Sequence, residues 1–385
     1  MSFGTLAVVG LAALLGPLLA LPQHWHVPVV VGELLAGVLL GPTVAGFLKP
    51  ADRTFAFLAD IGFALVMFVA GSHVPVGDPR LRAGLRIGTG RALLVAILAL
   101  PIAVGLSVGF STGHTAIYTV LLASSSAALV LPTVDSLRLS GPAVLELLPQ
   151  IAIADTACII AVPLTVDPTN AGRAALGSLA VIGCAGVLFV ALRHIEHSGL
   201  RKRVHRISER RKFALELRVS LCVLFALAAL AVTTRVSIML AGFCLGLAVA
   251  AVGEPRRLAR QLFGITEGFF SPLFFVWLGA DLDLRALGHR PGLILLGITL
   301  GLGAVVVHAS MRTTGQPTAL GVLAAGQVGV PVAAATLGTQ TRLLKPGEAS
   351  AFLLGAMVTI IASALVGRAA VHTMGPAAAE RDRGP

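Results

Sequence analysis

Long apolar runs, each about one membrane thick, recur along the whole chain and are separated by short stretches of charge, proline and glycine. An apolar α-helix needs roughly 20 residues to cross the hydrocarbon of a bilayer. Dividing the chain at its charges and turn residues predicts thirteen such helices: Phe3 to Leu21, Val27 to Leu48, Thr54 to Val74, Ala92 to Phe110, His114 to Val134, Ala143 to Pro163, Ala174 to Leu192, Phe213 to Val232, Val236 to Val252, Gln261 to Ala280, Pro291 to Met311, Ala319 to Gly338, and Ala349 to Val366. The first run has no positive residue before it and a second apolar run directly after it, so it reads as a membrane helix and not as a cleaved signal. The pattern predicts an all-α integral membrane protein.

Composition strengthens that reading. Of the 385 residues 56% are hydrophobic and only 12% charged, and the mean hydropathy is +0.91. A soluble core would have too little polar surface to cover itself. The net charge of +11 sits in short clusters between apolar runs and not on one face, so it is read as topology-setting and no nucleic-acid partner is expected. Loops after odd-numbered helices, with the C-terminal tail, hold most of the 29 basic residues. By the positive-inside rule those loops are cytoplasmic, with the N-terminus outside a cell membrane and the C-terminus inside. Cys158, Cys184, Cys222 and Cys244 all fall in apolar runs without paired spacing and read as small hydrophobes.

The largest basic cluster, Arg201 to Lys212, follows the seventh helix and separates six helices from six. Two inverted repeats joined by a linking helix would produce this order. The predicted division is repeat one over about 3–163, the linking helix over about 174–192 and repeat two over about 213–370, in one membrane domain spanning 1–385. The tail after Val366 has room for about one short helix, so no soluble regulatory domain is expected. Helix five carries Ser124, Ser125 and Ser126 and then Pro132; helix twelve, its counterpart, carries Gly326, Gly329 and Pro331. Proline removes a backbone donor and clashes with the preceding turn, so both helices are predicted to be interrupted near their middles, at Pro132 and Pro331. In hydrocarbon, freed backbone survives only where protein or a polar cavity lines it, and paired interruptions point to a transport site.

Of the 18 acidic residues four lie well inside apolar runs: Glu33, Asp60, Asp155 and Glu267. Each costs at least ~2.5 kcal/mol at the bilayer centre on insertion scales. Asp155 lies deepest, roughly 15 to 21 Å along the sixth helix and so near the midplane. Gln150 and Thr156 are its polar neighbours on that helix, and Lys49, Lys202, Lys212 and Lys345 all fall in loops, leaving no membrane ammonium to pair with it. An isolated carboxylate there needs a proton or a metal cation to compensate its charge, which makes Asp155 the predicted ion- and proton-binding residue. Ser124, Ser125, Ser126, Thr133, Gln150, Thr156, Glu267 and Gln327 are the candidate residues lining its cavity. Glu33 and Glu267 divide evenly between structural and functional roles, and Asp60 reads as a solvated helix-end group.

The strings GELLAGVLLGP (Gly32 to Pro42), LADIGFALVMFVAG (Leu58 to Gly71), Ala154-Asp155 and SPLFFVWLGADLDL (Ser271 to Leu284) follow one another over nearly the whole chain. In that order they resemble the cation:proton antiporter superfamily, specifically the branch of bacterial Na+/H+ exchangers and glutathione-gated K+ efflux antiporters. The resemblance implies a dimerisation domain and a mobile core, two broken helices crossing beside the aspartate of helix six, and elevator-like alternating access. It implies a secondary active antiporter that exchanges Na+, or K+ or Li+, for H+ without a cofactor. The chain departs from the family at Ala154, where Asp, Asn or Gln is common, and on helix eleven, where electrogenic members carry Lys and this chain has only His308 as a titratable group. One carboxylate trading one positive charge for another predicts electroneutral exchange.

A homodimer is expected, with Gly32, Ala36, Gly37 and Gly41 of helix two allowing close helix approach. The alternative of a sodium-coupled symporter for an organic anion lacks evident cationic anchors in the apolar runs. A membrane enzyme is disfavoured, since there is no HExxH pair and only one central aspartate.

Overall fold

The computed structural model describes residues 1–21, 29–72, 74, 79–166, 171–197, 215–234, 236–253, 256–282, 284–288 and 290–374. The basic cluster Arg201 to Lys212, residues 27, 28, 73, 213 and 214 of the predicted helices and the tail from 375 lie outside them.

Among the described residues all thirteen predicted runs are helical, and no strand occurs. They are α1 (Phe3–Ala20), α2 (Val29–Leu40), α3 (Arg53–Ser72), α4 (Pro79–Gly109), α5a (Thr115–Ala123) and α5b (Ala127–Ser136), α6 (Pro142–Val166) and α7 (Ala171–His197). There follow α8 (Leu215–Thr233), α9 (Ile238–Val252), α10 (Arg256–Ile265, a π-turn at Thr266–Phe270, then Ser271–Asp281), α11 (Pro291–Ala309), α12a (Thr318–Ala324) and α12b (Gly329–Gln340), and α13 (Glu348–Met374). Helix α4 starts at Pro79, well before the predicted Ala92. Arg91, the charge just before Ala92, is buried within the helix and paired with Glu146 of α6, so charge did not end the helix there.

The helices sort into two bundles. Extensive contacts join α1, α2, α3, α8, α9 and α10 to one another, and α4, α5a, α6, α11, α12 and α13 to one another; α7 packs on α8 and α9 of the first bundle and α6 of the second. The packing also repeats: α4 on α6 recurs as α11 on α13, and α3 on α9 recurs as α10 on α2. At these last crossings the backbones touch. A Cβ on Gly279 would stand 2.1 Å from the Leu34 carbonyl oxygen, and one on Gly71 would stand 2.3 Å from that of Phe243.

The small residues of α2 are therefore spent inside the chain. A Cβ on Gly32 would meet Gly16 of α1, and one on Gly37 or Gly41 would meet Val276 to Ala280 of α10. They lose their expected role as a dimer surface, because α1 and α10 already cover them.

Between the bundles lie two cavities and a seam. One cavity, about 460 Å³, is bordered by Asp60, Phe63, Phe274, Trp277, Val332 and Thr336. The other, about 560 Å³, is bordered by Val66, Val69, Ala127, Thr133, Glu267 and Val328. Because the first touches the early half of α3 and the second its late half, they lie toward opposite ends of that helix. The seam separating them is formed by Leu34, Val38 and Leu278 of the first bundle against Val328, Val332 and Leu353 of the second. It carries only apolar side chains.

Candidate functional site

Both predicted interruptions exist, displaced from the prolines. Helix α5 opens at Ser124 to Ser126, and Pro132 lies inside α5b. Helix α12 opens at residues 325–328, and Pro331 sits in the first turn of α12b, where a helix needs no proline N–H. At Ser124 the chain turns extended (φ −72°, ψ 152°), and its hydroxyl lies 3.0 Å from the Leu121 carbonyl oxygen of the turn before the break. In α12 the break falls at Gly326 and Gln327, where glycine adds backbone freedom.

The two breaks are tied together. Ser124 Oγ donates to Gln327 Oε1, and the Gln327 N–H donates to Thr359 Oγ1 of α13 at 3.3 Å. Both breaks are sealed from bulk water: Ser124, Ser125 and Ser126 are at most 1% exposed and Gln327 3%.

Asp155 faces this crossing from α6. It is 2% exposed, and its Oδ2 accepts the N–H of Ala127 at 2.8 Å. Ala127 is the first residue of α5b, so the carboxylate meets one of the unpaired donors at a helix start, where the helix dipole favours negative charge. The break thus supplies Asp155 with a neutral donor and leaves the charge itself uncompensated. Just before Ala127, the hydroxyls of Ser125 and Ser126 are buried and make no hydrogen bond among the described residues. Buried hydroxyls without a partner are uncommon, and their oxygens are the hard ligands that alkali cations prefer.

The remaining candidates divide. Gln150, 1% exposed, accepts from Gln316 Nε2 at 2.8 Å, and its own Nε2 finds no partner among the described residues. Thr156 donates to the Ala152 carbonyl and Thr133 to the Leu129 carbonyl; both hydroxyl protons are therefore spent within their own helices, although Thr133 also borders the larger cavity. Glu267 is exposed at that cavity, inside the π-turn of α10. Asp60 is exposed two turns into α3 and borders the other cavity. Glu33 is buried on α2 within electrostatic reach of Glu267.

Three buried polar groups escaped the sequence reading or were left without a role. Arg91 of α4, 5% exposed, donates to Glu146 of α6 at 2.8 Å and to the Thr314 hydroxyl at 2.9 Å. Glu348, fully buried at the start of α13, accepts from Tyr118 at 2.7 Å and lies 2.7 Å from His114 Nδ1. Both sit where charge had been taken to end a helix. His308 of α11 is 1% exposed, its ring beside the backbone of Leu122 and Ser124 without hydrogen-bond geometry.

A family model described as "Sodium/hydrogen exchanger, transmembrane" matches residues 10–371. The chain is 24% identical over 387 residues to "Putative Na(+)/H(+) antiporter YjbQ" of Bacillus subtilis (strain 168), covering 94% of this chain and 62% of that protein's length. It is 23% identical over 353 residues to "Probable Na(+)/H(+) antiporter 3" of Methanocaldococcus jannaschii, covering 84% of this chain and 85% of that one. Among solved structures, that of the sodium proton antiporter MjNhaP1 from Methanocaldococcus jannaschii superposes with a TM-score of 0.71 at 16% identity, over 97% of this chain and 98% of that one. A second structure of MjNhaP1, at pH 8, gives 0.62 at 17% identity, over 94% of this chain and 97% of that one.

Proposed function

Since the chain belongs to the sodium/hydrogen exchanger transmembrane family, we propose that it is a secondary antiporter that trades a monovalent cation for a proton at Asp155. The observation that carries the reading is the placement of one water-excluded carboxylate against the opened start of α5b. A lone charge in such surroundings is costly, so the carboxylate holds either a proton or a cation, and release of one invites the other. The neighbouring Ser125 and Ser126 oxygens complete the cation's shell, with Na+ the first candidate and K+ or Li+ the alternatives. Both names and titles among the similar proteins refer to sodium and protons, which supports that order.

Alternating access follows if the bundle of α4 to α6 and α11 to α13 slides along the other, carrying Asp155 from one cavity to the other. The apolar seam supports such a movement, having no hydrogen bonds to break. The repeated packing supports the division into repeats over about 3–163 and 213–370 with a link over about 174–192. The distribution of basic residues supports a cytoplasmic C-terminus in the cell membrane, and the family resemblance supports a homodimer. A sodium-coupled anion symporter is less well supported, because the buried Arg91 is engaged by Glu146 and unavailable to an anion.

The test is Asp155→Asn in proteoliposomes, read as cation-induced collapse of a pH gradient. The amide keeps the shape and accepts from Ala127 but cannot carry a proton or balance a cation. Exchange falls to the level of empty vesicles, while the amount of folded protein stays at least equal to that of the wild type. An Asp155→Asn protein that exchanges like wild type would remove Asp155 from the mechanism.

A further inference from the structure

The two breaks are supported unequally. At the break of α12, helix α13 supplies partners for backbone groups that the opened helix no longer pairs by itself. The Gln327 N–H donates to Thr359 Oγ1 at 3.3 Å, and the Thr359 hydroxyl donates in turn to the Ala356 carbonyl of its own helix at 2.7 Å, so its oxygen meets Gln327 as an acceptor. Ser363, one turn further along α13, donates to the Val322 carbonyl in the last turn of α12a at 3.2 Å. Between these two bonds the chain lies against α13 too closely for a side chain, since a Cβ on Gly326 would stand 2.9 Å from Ser363 Oγ. Thr359 is fully buried and Ser363 is 6% exposed, so bulk water does not compete for either bond.

The break of α5 has two anchors and a gap between them. Ser124 is tied to Gln327, and the Ala127 N–H is tied to Asp155. Ser125 and Ser126, whose hydroxyls find no partner among the described residues, are the two residues between those anchors. The anchor at Ala127 is the carboxylate itself, whose charge is compensated differently at each stage of the proposed cycle. The anchor at Ser124 leads away from that carboxylate, through Gln327 to α13. The spacing that Ser125 and Ser126 present to an ion held by Asp155 is therefore fixed from the Ser124 end.

Alkali cations carry the same charge and differ in size, so a site separates them by how many oxygens it offers and how firmly those oxygens keep one spacing. We propose that Thr359 and Ser363 are specificity-determining positioning residues. By splinting the break of α12 they hold Gln327, and through it Ser124, and so set which cation the serine pair accepts. They act through Ser124 and are not ligands. The proposal rests on the antiport reading and goes beyond it by locating the choice of cation outside the residues that surround the ion.

The test measures exchange in proteoliposomes with Na+, Li+ and K+ in turn, as collapse of a pH gradient, and reads the ratios of their KM values, which do not depend on how much protein is incorporated. Thr359→Val keeps the shape and removes the acceptor. It moves the ratios toward one by about threefold or more, the scale of one lost hydrogen bond, whereas Thr359→Ser, which keeps the hydroxyl, leaves them at the wild-type values. Ser363→Ala acts in the same direction and decides the matter if Thr359→Val does not fold. In a Ser124→Ala background, where the path to the serine pair is already cut, Thr359→Val adds nothing further. Ratios unmoved by a folded Thr359→Val or by Ser363→Ala, an equal shift in Thr359→Ser, an additive shift in the Ser124→Ala background, or a wild type with one KM for all three cations overturns the proposal. A wild type that exchanges none of them for protons defeats the antiport reading instead.

Discussion

Both bundles cross closely at glycine, since a Cβ on Gly84 of α4 would stand 2.4 Å from the Leu145 carbonyl oxygen of α6 and one on Gly301 of α11 would stand 2.6 Å from that of Gly355 of α13, and they differ in what they add to that packing. In the bundle of α1 to α3 and α8 to α10, helices cross at glycine so closely that backbone meets backbone, as at Gly279 with Leu34 and at Gly71 with Phe243. In the bundle of α4 to α6 and α11 to α13, two helices are opened, and buried polar groups such as Ser125, Ser126, Gln150 and His308 are left short of partners. Lipid offers no hydrophobic drive between helices, so close packing is how a membrane bundle holds its shape. Both bundles hold their shape by close packing, and most of the unsatisfied buried groups among the described residues lie in the second, around its opened helices. Stability and transport are therefore separable by mutation.

Several substitutions sharpen or break that separation. Arg91→Met leaves Glu146 unpaired in the polar bundle, and stripping one member from a buried ion pair costs up to about 3 kcal/mol. A clear drop in melting midpoint in detergent is expected, with partial recovery in Arg91→Met/Glu146→Gln; an unchanged midpoint would show that the polar bundle does not depend on its own ion pairs. Gly279→Ala forces α2 and α10 apart, and overpacking of this kind costs about 2 kcal/mol. Folded yield falls, while any protein that folds keeps its Na+ KM; a changed KM with full yield would mean that the packed bundle shapes the site. Ser124→Ala and Gln327→Ala each remove one hydrogen bond between the breaks, at about 1 kcal/mol apiece. A double-mutant cycle should show strong coupling, since either change alone already parts the two breaks.

The smallest effect belongs to Asp52, at the rim of the packed bundle. The Met1 ammonium, together with the N–H groups of Phe55 and Thr54, holds its carboxyl below the usual value of 3.8. A depressed carboxylate stabilises the fold above its unfolded pKa, and the contribution is lost as pH falls through the lower folded value. Asp52→Asn should leave the midpoint near neutral pH slightly lower and flatten its decline only in the acid range below about pH 4.

Much of the architecture was legible because hydrocarbon imposes one rule on every segment. A run long and apolar enough to cross must be helical, and all thirteen runs are. The breaks were legible too, through the serines of α5 and the glycines of α12, although proline was credited with them. Proline marks where a helix is weakened, but at Pro331 the ring occupies a first turn that needs no donor. Charge misled in the other direction. Arg91 and Glu348 were taken as ends of helices because each alone is costly in lipid, and a sequence does not display the partner, Glu146 or Tyr118, that makes burial tolerable. The glycines of α2 were visible as a close-approach surface, but which helix approaches is a property of the tertiary fold. The π-turn around Glu267 gave no signal in the pattern, since one residue more leaves a run of about 20 apolar residues reading the same.

The seam between the bundles has an electrical consequence. Val328 borders the Glu267 cavity and Val332 the Asp60 cavity, and four residues of helix cover only about 6 Å. If both cavities fill with electrolyte, nearly all of the membrane voltage drops across this septum, so the field there is several times that of a uniform bilayer. A bare carboxylate dragged through it would do or absorb work of about 2.3 kcal/mol per 100 mV. In the proposed cycle Asp155 carrying a proton or a monovalent cation is net neutral, and the field does no work on it. A thin septum thus opposes the empty carrier in one direction and drives it in the other, in proportion to voltage, and leaves the loaded carrier of the proposed cycle untouched.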